Sequence, residues 1–118
     1  MQFAKIKKFE FNNQTYQLYG TKGNSISYLI RDMIQEYAHN TGVSFEELKE
    51  KISSKVWLSP YLDEIISTTV PKHPEHFFMS EKDKIQLSNG NIYVAKFFHP
   101  NDVIEIAKLL GSEIKVLA

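Results

Sequence analysis

The chain has 118 residues, of which 42% are hydrophobic and 24% charged, so it has the size and composition of one globular domain, expected over residues 1–118, and not of a disordered chain. It contains no cysteine, which excludes a disulfide framework and a thiolate metal site and fits a reducing compartment such as the cytoplasm. Basic and acidic residues both number 14, and the net charge of zero provides no overall attraction to nucleic acid. No signal peptide or membrane span is expected, because no apolar stretch follows the first lysines and none approaches about 18 residues.

The first predicted element is a β-hairpin near the N-terminus. Aromatic and β-branched residues flank Asn12 and Asn13 on both sides, and asparagine tolerates the positive φ angles of a tight turn. An amphipathic helix follows, because the apolar residues from Ile26 to Ala38 recur at the spacing of a single helix face. Gly42 is expected to end this helix.

A second helix is predicted to begin at Ser44, which can form a capping box with Glu47. The connection between the two helices is only about four residues long, so they are expected to pack as neighbours. The structure of the next segment is less defined by its sequence. Ser59 and Pro60 suit the start of a helix, so a third, short helix over 59–67 is left open.

Four elements are predicted in the second half of the chain: a short strand over 77–79, a hairpin of strands 84–88 and 91–95, a helix over 100–110 and a strand over 114–117. The hairpin carries the strongest local signal, because Asn89-Gly90 supplies the positive φ angles of a type I′ turn. Pro100 and Gly111 suit the first turn and the end of the helix.

This order of elements predicts an α+β fold of winged-helix-like type: an N-terminal β-hairpin, two to three helices, a second β-hairpin, and a C-terminal helix and strand. A layer of helices on one face of a small antiparallel sheet is the alternative architecture. An unpaired sheet edge could join two copies of the chain, so a homodimer is left open.

Two groups of residues have the chemistry of metal or catalytic sites but are interpreted as structural. His73 and His76 are three positions apart, yet the proline between them argues against a helix that would bring them together, and a polar loop is expected. Glu113 and Lys115, with Asp102 upstream, mimic the pattern of Mg²⁺-dependent nucleases, which arises often by chance. We therefore expect no catalytic residue, no metal site and no cofactor.

Lysines on the second helix and the second hairpin are the candidate contacts for nucleic acid. In a winged helix these two elements meet DNA, and lysine binds phosphate as a point charge. The candidate contacts are Lys49, Lys51, Lys55, Lys84, Asn89 and Lys96. The alternative is a solvated helix face and ordinary turn chemistry, because three glutamates on the second helix dilute its positive charge and Arg31 is the only arginine.

Aromatic residues are the candidate contacts for a protein partner. Trp57 and Tyr61 lie close together in the sequence, and Trp and Tyr anchor many protein interfaces. Two consecutive phenylalanines cannot both face inward from one strand, so Phe98 is a third candidate contact.

Several segments carry a resemblance to a known type of domain: the hairpin segment 11–16, the helix 29–37, the capping-box segment 44–48, Phe77-Phe78, the hairpin 85–94 and the run 103–111. Together they resemble a small winged-helix-like accessory domain of bacterial restriction and defence proteins, which is often attached to endonuclease, methyltransferase or ATPase modules. The polar-Trp-Gly step usual after its last hairpin strand is replaced here by residues 96–100. The resemblance implies a recognition or accessory role near DNA and carries over no catalytic residue.

We therefore expect a non-enzymatic binding module associated with nucleic acid in a bacterial DNA-processing or defence setting. The alternative is a protein-binding inhibitor or adaptor, for example a phage-type protein that blocks a defence complex, which the neutral charge and the aromatic content would suit. Salt separates the two hypotheses, because affinity for nucleic acid falls steeply as salt is added.

Overall fold

The computed structural model describes residues 8–18, 20, 23–53, 65–96 and 98–117. Within these ranges it contains six strands and three α-helices: β1 (Lys8–Phe11), β2 (Gln14–Gln17), α1 (Ile26–Thr41), α2 (Phe45–Ser53), β3 (Ile66–Ser67), β4 (Ile85–Leu87), β5 (Gly90–Val94), α3 (Pro100–Leu110) and β6 (Lys115–Val116). The strands form two small antiparallel sheets, which confirms the α+β class. None of the described helices is long and apolar enough to cross a membrane.

The first sheet has β1 at its centre, with β2 on one side and β6 on the other. Asn12 and Asn13, whose φ angles are 51° and 67°, turn the chain between β1 and β2, so the first predicted hairpin is confirmed. Phe9 on β1 is opposite Tyr16 of β2 and Val116 of β6, and it is fully buried. The first and last described strands therefore lie side by side.

The second sheet has β5 at its centre, between β3 and β4. The β4–β5 hairpin confirms the predicted strands, but its turn lies one residue earlier than predicted. Leu87 is paired with Gly90, so Ser88 and Asn89 form the turn, and Gly90, with a φ of 138°, begins β5. Asn89 is not among the described non-glycine residues with positive φ, so the predicted type I′ turn over Asn89-Gly90 is wrong. The side chain of Asn89 is instead bonded to α2.

The first helix begins and ends where the sequence predicts, and the second begins where the sequence predicts. The Ser25 hydroxyl accepts a hydrogen bond from the Tyr28 N–H at 3.2 Å at the start of α1, and Gly42 ends the helix with a φ of 67°. At the start of α2, the Glu47 N–H donates to the Ser44 hydroxyl at 3.2 Å. The Ser44 N–H donates to the Glu47 carboxylate at 2.9 Å, which completes the predicted capping box.

The segment between α2 and β4 differs from the prediction. Residues 54–64 lie outside the described part of the chain, and with them most of the short helix left open over 59–67. Ile66 and Ser67, at its end, form strand β3 on β5, and both residues are buried. The strand predicted over 77–79 is reduced to an isolated bridge between Phe77 and Ala95.

The core lies between the two sheets and the three helices. α1 packs on α3, on β4 and on the first hairpin, so it is the element that the rest of the fold surrounds. Its inner face contributes side chains with no exposed surface, among them Leu29, Ile30 and Met33. α3, which starts at Pro100 and is ended by Gly111 as predicted, also packs on α1.

Candidate functional site

The tip of the β4–β5 hairpin is docked on the start of α2. The Ser88 N–H donates to the Val43 carbonyl at 3.1 Å, and the Phe45 N–H donates to the Asn89 side-chain oxygen at 3.1 Å. The Asn89 amide also donates to the Glu46 carboxylate at 3.1 Å. Asn89, a predicted phosphate contact, therefore accepts a hydrogen bond from one of the free N–H groups at the start of α2. The sequence did not predict this contact between the hairpin and the helix.

The predicted lysine contacts are spread over two elements. Lys49 and Lys51 are exposed on α2, and the Lys49 ammonium lies 5.6 Å from the centre of the Phe45 ring. Lys84, before β4, forms an ion pair of 2.7 Å with Glu81, and this hydrogen bond is the main cause that raises the pKa of the lysine. Each of two ammonium groups also lies over an aromatic ring: Lys84 is 5.0 Å from the Tyr93 centroid and Lys96 is 5.9 Å from the Phe78 centroid. Lys55 lies outside the described residues.

The predicted aromatic contacts do not form a described surface. Trp57 and Tyr61 lie outside the described residues. Phe98 belongs to the hydrophobic core and is only 9% exposed, so it offers little surface to a partner.

The nuclease-like residues are separated by most of the length of α3. Asp102 lies in the first turn of α3, where its carboxylate accepts a hydrogen bond from the His99 N–H at 2.9 Å, and burial raises its pKa. Glu113 and Lys115 follow the other end of the helix. The eight residues of α3 that follow Asp102 span roughly 12 Å, so these groups are too far apart to bind one metal ion.

Arg31, on α1, is buried and holds a network that the sequence did not predict. Its Nε donates to the Asp83 carbonyl at 2.8 Å and its Nη2 to the Lys82 carbonyl at 3.3 Å. Its Nη1 donates to the Asp32 carboxylate at 2.8 Å and to the Gln35 side chain at 2.9 Å. The planar guanidinium of Arg31, which has five donors, thus joins α1 to the turn that precedes β4. The only sign of this network in the sequence is a single arginine inside an amphipathic helix. The arginine alone does not show which groups accept its hydrogen bonds.

Two tyrosine hydroxyls extend this network. The Tyr16 hydroxyl on β2 donates to Asp32 at 2.7 Å, and the Tyr28 hydroxyl donates to Asp83 at 2.7 Å. Burial, followed by the hydrogen bond to the carboxylate, raises the pKa of Tyr28 to about 12 and raises the pKa of Tyr16 further. Both phenols are therefore neutral donors at physiological pH, and the network connects β2, α1 and the turn before β4.

We expect stability to fall as the pH rises above 10, and to fall less steeply in Tyr28→Phe. An unfolded tyrosine loses its proton near 10.0, whereas folded Tyr28 keeps its proton up to a pKa of about 12. Between these values the unfolded state binds fewer protons, so the stability present below pH 10 is lost as the pH approaches 12. The midpoint of urea unfolding measured across this range tests the prediction, with Tyr37→Phe as the control outside the network. Equal slopes in the wild type and Tyr28→Phe would contradict it.

An open groove of about 810 Å³ lies where α3 meets β6 and the turn of the first hairpin. We call it the α3–β6 groove. Its apolar lining comes from Ile104 and Ala107 of α3 and from Ile114 and Val116 at β6. Its charged lining is balanced, with two carboxylates and two ammonium groups: Glu10, Glu113, Lys108 and Lys115. A groove of this size and mixed lining is within the range that binds small molecules or short peptide segments.

One wall of the α3–β6 groove is a sheet edge. The Leu117 N–H donates to the Lys8 carbonyl at 2.9 Å, and Lys115 is opposite Glu10. Because alternate residues of an antiparallel strand bond to the same neighbour, the N–H and C=O of Val116 face away from β1. No described strand lies beyond β6. The side chains of Val116 and Leu117 are 50% and 43% exposed, so this edge is apolar as well as open.

The α3–β6 groove is the described surface best suited to bind a partner. A second groove, of about 520 Å³, lies beside Tyr16 and Asp32, but its acidic groups are already engaged: Asp32 by the Arg31 network and Glu36 by the Asn12 amide at 2.8 Å. The edge of the α3–β6 groove was predicted only as a terminal strand, because the alternation of residues 113–117 does not reveal which strand they join.

Comparison with models of known protein families, with curated proteins and with solved structures finds no match to this chain, so the groove's own residues are the basis for assigning a function.

Proposed function

We propose that this chain is a non-enzymatic binding module that recognises an extended segment of a partner protein at the α3–β6 groove. The observation that carries the proposal is the open edge of β6, where Val116 directs its backbone N–H and C=O outward beside an apolar groove. An extended segment adds to such an edge as a further strand, because its main-chain groups complete the ladder and its alternate side chains enter the groove.

The groove also defines the chemistry of the bound segment. Every second side chain of an added strand faces the same side, so those that meet Ile104, Ala107 and Ile114 are expected to be apolar. The two carboxylates and two ammonium groups of the lining offer no surplus of either charge. A segment with alternating apolar residues and little net charge fits this lining, whereas a polyphosphate chain does not gain from it.

Replacing Val116 by proline is expected to weaken binding of such a segment by at least about tenfold, a loss of roughly 1.4 kcal/mol, because it removes the N–H that would donate a hydrogen bond to a carbonyl of the added strand. The fold is expected to persist, since proline is tolerated in an edge strand where its nitrogen faces solvent. Peptides selected by the whole chain from a random displayed library, measured by fluorescence anisotropy, provide the assay.

Val116→Thr is the matched control, because it keeps the N–H and a β-branched side chain and should retain binding. Selected peptides without apolar alternation, or peptides that bind the proline variant equally well, would reject strand addition at β6. A dimer of the wild-type chain that dissociates in Val116→Pro would identify a second copy as the occupant of the edge.

Nucleic-acid binding by a winged-helix-like surface is the second candidate function, in the DNA-processing or defence setting that the resemblance implies. It is favoured by the contact between the hairpin tip and α2, which makes the two predicted contact elements neighbours. Lys49 and Lys51 on α2 are exposed and would meet phosphate groups in this case.

If this second function is correct, the chain binds a labelled duplex or single strand of mixed sequence at low salt, and its affinity falls steeply as salt is added. Lys49→Ala/Lys51→Ala should reduce the salt slope by roughly two, which is about 0.9 for each lost phosphate contact. Lys108→Ala, on α3, is the control and should leave the slope unchanged. Absence of binding at low salt would exclude this function and leave the protein-partner proposal.

A further inference from the structure

The segment between β3 and β4 contains a 3₁₀ turn, Pro74–His76, with His73 at its N-cap position. The proline was expected to prevent a helical turn here, but at the first position of a helix its missing N–H and fixed φ are favourable, so it starts the turn. A 3₁₀ helix has about three residues per turn, so side chains three positions apart lie above one another. The rings of His73 and His76 are accordingly 5.3 Å apart, centre to centre, with 33° between their planes.

Glu75 lies between the two imidazoles. Its carboxylate oxygen is 3.6 Å from Nδ1 of His73 and 4.0 Å from Nε2 of His76. The three side chains can each offer one ligand atom, and these atoms all lie within 4.8 Å of one another. Among the described residues, this turn is the place where two imidazoles and a carboxylate lie close enough to share one ion.

The backbone holds this arrangement in place. The His76 N–H donates to the His73 carbonyl at 2.9 Å, and the Phe77 N–H donates to the Pro74 carbonyl at 3.0 Å. The His76 carbonyl accepts from the Lys96 N–H at 2.8 Å, which ties the turn to the chain that follows β5. The His73 side chain makes no capping hydrogen bond at the start of the turn, so its imidazole is not used to cap it.

We propose that His73, Glu75 and His76 form a binding site for a zinc ion, with water at the fourth position. A tetrahedral zinc ion with bonds of about 2.0–2.1 Å holds its ligand atoms roughly 3.3–3.4 Å apart. Two of the separations here are already close to that value, and the side chains of His73 and Glu75, 48% and 67% exposed, have room to close the remainder.

The donor set determines the choice of metal. Two imidazoles with one carboxylate suit zinc and related transition metals, whereas Ca²⁺ and Mg²⁺ prefer oxygen ligands alone. A glutamate carboxylate is charged at neutral pH, as a ligand must be.

Titration of the whole chain with ZnCl₂ in an isothermal calorimeter tests the site. We expect one ion per chain, and loss of a ligand in His73→Ala or Glu75→Gln should weaken binding by at least about 10- to 100-fold, the cost known for the groups that merely support a ligand. His39→Ala removes an exposed histidine from α1 and is the matched control, which should bind zinc as the wild type does. The chain lacks cysteine, so no thiol competes for the ion.

Two further readouts keep the result independent of folding defects. Circular dichroism of each variant shows whether the fold is retained, and zinc should raise the unfolding temperature of the wild type and of His39→Ala but not of His73→Ala. MgCl₂ in place of ZnCl₂ should give no binding at this site. Absence of a saturable heat with ZnCl₂, or equal affinity in His73→Ala and the wild type, would overturn the proposal.

Discussion

Arg31→Ala is expected to lower the free energy of unfolding by about 3–5 kcal/mol, the cost of removing one partner from a buried ionic network. The substitution leaves the Asp83 and Lys82 carbonyls without the donors that now satisfy them, and it leaves the Asp32 carboxylate without its cation. Small domains have total stabilities of only about 5–15 kcal/mol, so the variant should lose a large fraction of its stability. Urea unfolding followed by circular dichroism provides the measurement.

Two variants separate the geometry of Arg31 from its charge. Arg31→Lys keeps the charge but cannot bond to two carbonyls and a carboxylate at once, so we expect it to recover only part of the loss. Lys82→Ala changes an exposed side chain whose backbone carbonyl alone meets Arg31, and it should alter stability by less than about 0.5 kcal/mol. A loss below about 1 kcal/mol in Arg31→Ala would show that water replaces the network at little cost.

Phe9→Ala is the second substitution with a large expected effect, about 3–5 kcal/mol of lost stability. Phe9 has no exposed surface and lies at the centre of β1, between Tyr16 and Val116. Its removal opens a cavity under the strand that holds β6, so both the core and the α3–β6 groove should be affected. The same urea experiment measures the change.

Val70→Ala is the control for Phe9→Ala, because Val70 is 63% exposed and buries little surface. We expect it to be neutral within about 0.5 kcal/mol. Phe9→Leu keeps most of the buried volume and should cost less than Phe9→Ala. Equal effects of Phe9→Ala and Val70→Ala would contradict the burial that the fold assigns to Phe9.

The elements that could be predicted from the sequence are those whose signals are local. The capping box of Ser44 and Glu47 and the helix ends at Gly42 and Gly111 depend on contacts within a few residues, and all are confirmed. The same holds for the turn at Asn12-Asn13, whose backbone conformation the residue type itself favours.

The features that the sequence did not predict depend on contacts between distant segments. The turn of the second hairpin lies a residue early, with the side chain of Asn89 bonded to α2, 44 positions from Phe45. The two backbone carbonyls that accept from Arg31 lie about 50 positions away, and no pattern within α1 indicates them. Which strand β6 would join was equally undetermined, since a short alternating segment fits any open edge.

The candidate sites were predicted with the same limits. The sequence identified lysines by charge, but their distribution over α2 and the two ends of the β4–β5 hairpin, and the engagement of Lys84 by Glu81, required the fold. The histidine pair was recognised as metal-like and set aside because of Pro74, whose effect depends on whether it lies at the start or in the middle of a helical turn.

The pairing of β1 with β6 also has a consequence for the order in which the chain folds. The β1–β2 hairpin closes a turn of two residues, whereas joining β6 to β1 closes a loop of about one hundred residues, and the entropy of closure grows with loop length. Contacts of such long range form late in folding and open early in the native state, particularly in a strand of two residues. The edge proposed for partner recognition is therefore expected to be the last part of its sheet to assemble. A bound segment would stabilise the pairing of β6 with β1.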